Sequence, residues 1–287
     1  MKRLPTALYV FILTFMFWNS PSSAQTQTMT YDVYAGGIHA LDAKLIIKTS
    51  EKDYDITLSS ATHGFLKTLA PWSGIFSTSG QISKDNKPNP LEHLSISTWK
   101  SSTEEKKYTY DGKGKFLDYT VTESKKDKEP VDKTPEKIEE GLTKDSTDLL
   151  SATLELLMTL PATQTCAGNS IIFDGDRSFK LLFTETTRSP LKKSKYNIFE
   201  GDSLSCQVEV SPDKGKWRKK PRGWLSIQEQ GRKKGALPTI WLGLMPEPNP
   251  NQSPYIPVKI RVKTDYGTLF MHLTSYKNDE EDPQKKP

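Results

Sequence analysis

The sequence predicts a mainly β protein: a strongly curved antiparallel sheet, an open barrel or β-spiral, with one buried α-helix. Three observations carry this. Apolar and polar residues alternate with period two in segment after segment, as where Tyr54, Ile56 and Leu58 face Asp55, Thr57 and Ser59, which sends one side of a strand to a core and the other to water. Turn chemistry separates these segments, at Lys87-Pro-Asn-Pro90 and at Asp111-Gly-Lys-Gly114. A single stretch, Leu149 to Leu160, has leucine on nearly every side of a helical wheel, the pattern of a helix buried on more than one face.

The elements follow in order. Lys2 and Arg3 precede an apolar run from Pro5 to Trp18, too short to span a bilayer, and Ser22-Ser-Ala24 supplies small residues for cleavage, so residues 1–24 read as a signal peptide. The mature chain is expected to start at Gln25 and to form one β-rich domain over 25–277. Its first strands are Tyr31–Tyr34, Ala43–Lys48 and Tyr54–Ser59, then Ile75–Ile82, Leu94–Trp99, Thr103–Tyr110 and Phe116–Val121. Residues 123–145 are rich in Lys, Glu, Asp and Pro with hardly an apolar anchor, so they read as a charged flexible insertion. Asp148 is placed to cap the helix, and Pro161 is expected to stop it. Strand patterns resume at Ile171–Phe173, Phe179–Thr184, Ser205–Val210, Trp224–Gln228, Ile240–Leu244, Val258–Val262 and Leu269–Leu273. The charged tail, 278–287, reads as loose.

Composition narrows the partners. About 260 mature residues suffice for a sizeable core. The formal charge is +5, or +3 without Lys2 and Arg3, too small to announce a nucleic-acid binder. Between Gly175 and Gly235, however, fifteen Lys and Arg stand against seven Asp and Glu. In an exported protein such a surface meets anionic lipid, glycan or a partner. Cys166 and Cys206 are the only cysteines. In an oxidising compartment an isolated pair is most simply a disulfide; a zinc pair lacks companion ligands, and a catalytic thiol leaves the second cysteine unexplained.

The residues offer little chemistry. His39, His63, His93 and His272 are scattered and never spaced as a helical or hairpin metal pair, so no metal and no cofactor is expected. No GxSxG elbow occurs, and Ser151 is expected to bond a preceding carbonyl inside its helix. Asp174-Gly-Asp176 reads as a hairpin turn, not a calcium loop. The strongest candidate is Lys216, Trp217, Arg218, Lys219, Lys220, Arg222 and Trp224, a basic, indole-flanked run suited to an anionic surface, with a solvated hairpin loop as the plain alternative. The second is the interior of the curved sheet, which either fills with side chains or holds an apolar ligand. Trp72, Phe76, Trp99, Tyr110, Leu150, Leu154 and Leu157 are its candidate lining.

Taken as an ordered set, Asp148-Leu-Leu-Ser-Ala152, Cys166, Phe173-Asp-Gly175 with Arg177 and Phe179, Tyr196, Gly201, Cys206, Ile240-Trp-Leu242, Pro257-Val258 and Tyr266-Gly-Thr268 resemble the bacterial domain of unknown function 3108 (DUF3108) family. Tyr31, Val33, Tyr34, Gly37, Gly64 and Trp72 resemble its opening hairpin and following segment. The resemblance implies an exported, periplasmic β protein and supports pairing of Cys166 with Cys206. It brings no catalytic residue. Leu149, where relatives often carry proline, and the insertion before it depart from the family pattern. The expected function is that of a non-enzymatic periplasmic protein supporting the cell envelope, binding a lipid-like ligand or an envelope component, not an integral membrane protein. The alternative is an enzyme that hydrolyses or modifies an envelope glycan or lipid.

Overall fold

The computed structural model describes residues 25–217, 224–233, 235–245, 253–264 and 267–280. The expected signal peptide and the end of the tail lie outside the described residues. The elements are β1 (Gln25–Ala35), β2 (Ile38–Thr49), β3 (Asp53–Thr62), α1 (Leu66–Leu69), β4 (Trp72–Ile82), β5 (Pro88–Trp99), β6 (Ser102–Tyr110), β7 (Phe116–Lys125) and β8 (Val131–Asp132). There follow β9 (Ser146–Thr147), α2 (Leu149–Thr163), β10 (Ala167–Phe173), β11 (Arg177–Leu191), β12 (Gly201–Gly215), α3 (Trp224–Lys233), β13 (Thr239–Leu244), β14 (Tyr255–Thr264) and β15 (Gly267–Glu280).

The fifteen strands among the described residues belong to one sheet that does not close there, in the order β8-β7-β6-β5-β4-β3-β2-β1-β15-β14-β13-β12-β11-β10-β9. Two meanders therefore meet where the first and last long strands pair, Gln25 opposite Glu280 through Ala35 opposite Leu269. All pairs are antiparallel except the two-residue match of β9 with β10. The inward positions of β1 and β2, namely Met29, Tyr31, Ala43, Leu45 and Ile47, are buried in the same core as Leu154, Leu157 and Leu160 of α2, which packs on β4, β5, β10 and β14. The helix is thus wrapped by the sheet, as the leucine pattern predicts. A smaller core, Tyr108, Tyr110, Tyr119, Val121, Leu142 and Phe173, packs separately near the β7 edge.

Four expectations are corrected in detail. Pro161 does not stop α2, which runs on to Thr163 and ends at Gln164 in a left-handed conformation, φ +55°. Proline lacks the N–H that would reach the carbonyl of Leu157, and that carbonyl instead accepts from Ser253 Oγ at 2.7 Å. Trp224–Gln228 is helix, not strand: α3 docks along β12 through Gln228, whose Oε1 accepts from Val210 N and whose Nε2 donates to Val208 O. The Gln228 amide supplies backbone-like hydrogen bonds where β13, paired only with Ser203 to Gln207, leaves β12 open. The charged stretch 123–145 carries β8 and an anchor that composition hides, since Leu142 is buried and Ile138 packs on the smaller core. Ser151 bonds not a preceding carbonyl but the carboxylate of Asp148.

Candidate functional site

The N-terminus of α2 is tied to the sheet by a buried polar network. Asp148, 3% exposed, caps the helix by accepting from Leu150 N at 2.9 Å and Ser151 N at 3.0 Å. Two hydroxyls also bond it: Thr78 Oγ1 of β4 donates to Oδ1 at 2.7 Å, and Ser151 Oγ donates to Oδ2, while His93 Nδ1 lies 3.4 Å from Oδ1. A hydroxyl has one proton to give. Because Thr78 and Ser151 give theirs to the carboxylate, the neighbours beyond must be donors in turn. His93 Nδ1–H therefore donates to Thr78 Oγ1, and Tyr54 O–H to Ser151 Oγ, both at 2.7 Å. Two proton-ordered arms converge on one carboxylate. Burial lowers the His93 pKa, partly offset by the charge of Asp148, and holds the ring neutral. Burial, then the same charge, raises the Tyr54 phenol.

This network contains a serine, a histidine and an aspartate, yet the ring bonds Thr78 and lies 3.4 Å from Asp148 Oδ1, and no bond to Ser151 is among those described. Ser151 is 1% exposed. An attacking hydroxyl must meet its substrate, and this one is sealed inside the core.

Beside the network lies a groove of about 780 Å³. One wall comes from the first meander, at the β4–β5 and β6–β7 turns; the other comes from β10 and β11; Thr143–Thr147 and Glu155 form the floor between them. Lys87, Lys113, Lys115, Lys144 and Lys180 line it, all exposed, against Asp145 and Glu155. None of the five lysines forms an ion pair among the described residues. Two of them are placed by a turn written in the sequence. Asp111 Oδ1 accepts from Lys113 N at 2.8 Å and Lys115 N at 3.0 Å, which holds the Asp111 carboxyl below the usual carboxylate range. Gly112 and Gly114 take the left-handed conformations, φ +74° and +84°, that complete the loop.

The sequence-predicted residues fare unevenly. Cys166 and Cys206 form a disulfide, with Cα atoms 6.0 Å apart. It links the residue before β10 to β12. Of the basic run, Lys216 is exposed, and Trp217 is held by Arg177, whose guanidinium lies 4.6 Å over its ring, and by an Nε1–H bond to Lys214 O. Trp224 begins α3; Arg218, Lys219, Lys220 and Arg222 lie outside the described residues. The proposed cavity lining is not one surface. Leu150, Leu154 and Leu157 are core, with Phe76 packed against it. Tyr110 belongs to the smaller cluster. Trp72 and Trp99 are directly paired across β4 and β5, but Trp99 is 51% exposed. Asp174-Gly-Asp176 is the expected turn, with Asp174 Oδ1 accepting from the backbone N–H groups of Asp176 and Arg177.

The lysine groove was missed because its members come from four separate segments, each of which reads as an ordinary solvated turn or strand face. Comparison with known proteins places the chain as follows. The family model described as "Protein of unknown function (DUF3108)" matches residues 30–274. No curated protein matches. Among solved structures, a beta-barrel-like protein of domain of unknown function DUF1849 from Brucella abortus is similar, with 13% sequence identity, a TM-score of 0.42, and coverage of 91% of this chain and 98% of that one.

Proposed function

We propose, for a chain that belongs to the DUF3108 family, an exported, non-enzymatic periplasmic protein that supports the cell envelope by binding an anionic envelope component in the lysine groove. The observation that carries this reading is the gathering of Lys87, Lys113, Lys115, Lys144 and Lys180 along one groove, where they outnumber Asp145 and Glu155 and form no ion pair among the described residues. Ammonium groups gathered this way attract phosphate or carboxylate groups and raise their local concentration. The groove's volume lies within the range of about 300–1,000 Å³ common for small-molecule sites. Export is supported by the apolar leader with its basic start and by the Cys166–Cys206 bond. No helix among the described residues is long and apolar enough to cross a membrane. A non-enzymatic role is favoured because the triad-like residue types around Asp148 are buried and bonded to one another.

The test is titration of the purified protein with a soluble phosphorylated oligosaccharide and, separately, with phosphatidylglycerol vesicles at low salt. Binding to either that falls at least tenfold in the Lys115→Glu, Lys144→Glu variant and weakens as salt rises supports the reading. Unchanged binding in that variant overturns it.

A further inference from the structure

Elsewhere, on the convex face at the far end of the strands, two histidines and two aspartates converge. His39 Nε2 lies 3.0 Å from Asp42 Oδ1, and His63 Nδ1 lies 3.0 and 2.9 Å from the two Asp42 oxygens. Asp32 Oδ1 is 3.6 Å from His39 Nε2. The ligand atoms of His39, Asp42 and His63 all lie within 4.8 Å of one another. We propose that His39, Asp42 and His63 bind a zinc ion, with Asp32 completing or bracing the site.

The backbone is built to bring these groups together. His39 and Asp42 are three apart on one strand, and strict alternation would send them to opposite faces. The β1–β2 register shifts between Val33 and Tyr34, which pair with Leu41 and His39 and leave Ala40 as the extra residue. That bulge moves the pattern by one position, so both side chains emerge on the convex face. The carbonyl of Ala40 then accepts from His63 N at 2.8 Å, docking the end of β3 beside the bulge. The same bulge aims one histidine and seats the other.

Charge makes the case for a cation. Asp32 and Asp42 are direct cross-strand partners, and like charges opposite each other on one face are destabilising. A divalent ion held between the two carboxylates would relieve this repulsion. Two imidazole nitrogens and carboxylate oxygens suit zinc and its neighbours rather than magnesium or calcium, which prefer oxygen throughout. Tyr34 O–H donates to Asp32 Oδ2 at 3.2 Å, the kind of outer bond that orients a carboxylate near a metal. Asp32 and Asp42 also border an open depression of about 490 Å³, which gives an ion access. The two rings stack with centroids 3.7 Å apart and 12° between planes. Placing both lone pairs on one ion requires the rings to turn from that stack, which their side-chain exposures of 23% and 41% allow.

The experiment is zinc titration of the untagged full-length protein by calorimetry, with X-ray absorption of the loaded sample and magnesium as the comparison ion. Expected are one zinc per chain, two imidazole nitrogens at about 2.0–2.1 Å, and no magnesium binding at the same concentrations. His63→Ala and Asp42→Asn should each weaken zinc binding about a hundredfold, and Asp32→Asn about tenfold, with circular dichroism unchanged. No zinc binding at micromolar concentrations, or binding unaltered in a His39→Gln, His63→Gln double variant that retains the fold, overturns the proposal. Either result leaves the lysine groove untouched, because its variants and ligands are different.

Discussion

The two histidine–aspartate clusters use the same side chains and differ in where the sheet puts them. Around Asp148 each donor has its acceptor and the carboxylate is 3% exposed, so the chemistry of His93 is spent on holding α2 against β3, β4 and β5. Around Asp42 the rings are partly exposed and two carboxylates face each other across a strand pair. Burial with complete bonding makes a histidine a structural part, and exposure with unresolved charge leaves it able to take a ligand. Residue type alone decides neither.

The sharpest way to break this contrast is Asp148→Ala. It removes a helix cap and strands the Thr78 and Ser151 hydroxyls in the core, so denaturant unfolding should show a loss of about 3–4 kcal/mol; a loss under 1 kcal/mol would mean the network is not what anchors α2. Thr78→Val cuts one arm only and should cost about 1–3 kcal/mol, measured the same way, with Tyr54 and Ser151 still in place. A pH series sharpens the comparison further. The folded pKa of His93 is depressed by burial, so the unfolded chain binds the extra proton first, and stability should fall as pH drops below the ordinary histidine value of about 6.5. The slope attributable to this ring is at most about 1.4 kcal/mol per pH unit, and it should vanish in a folded His93→Gln variant; a slope that survives places the acid sensitivity elsewhere. The smallest effect belongs to the outer cluster. His63→Ala, without metal, should shift stability by no more than about 0.5 kcal/mol, and a larger loss would make that cluster structural as well.

Much of the fold was legible because period two is a direct record of which face is buried. Tyr54, Ile56 and Leu58 are read correctly from alternation alone, and the leucines of α2 from their all-round distribution. What the sequence conceals are features fixed by distant partners. Pro161 looks like a terminator until Ser253, far along the chain, supplies the missing hydrogen bond. Trp224–Gln228 alternates briefly, yet Gln228 is held helical by bonding the open edge of β12. Composition likewise hid Leu142 within a charged run. Neither candidate site was visible, since the groove assembles turns from both meanders and the histidine cluster depends on a one-residue slip at Ala40 that no local pattern announces. The disulfide was legible because only one pairing exists.

Pairing of β1 with β15 at the centre of the sheet has a consequence for how the protein matures. Gly267–Glu280 is the last of the described strands to be made, and until it is available both meanders present a raw inner edge to their surroundings. Joining the two meanders therefore pairs the described strands that lie farthest apart in sequence, a long-range contact of the kind that slows folding. A truncation before Gly267 would split the molecule down its middle rather than trim its rim.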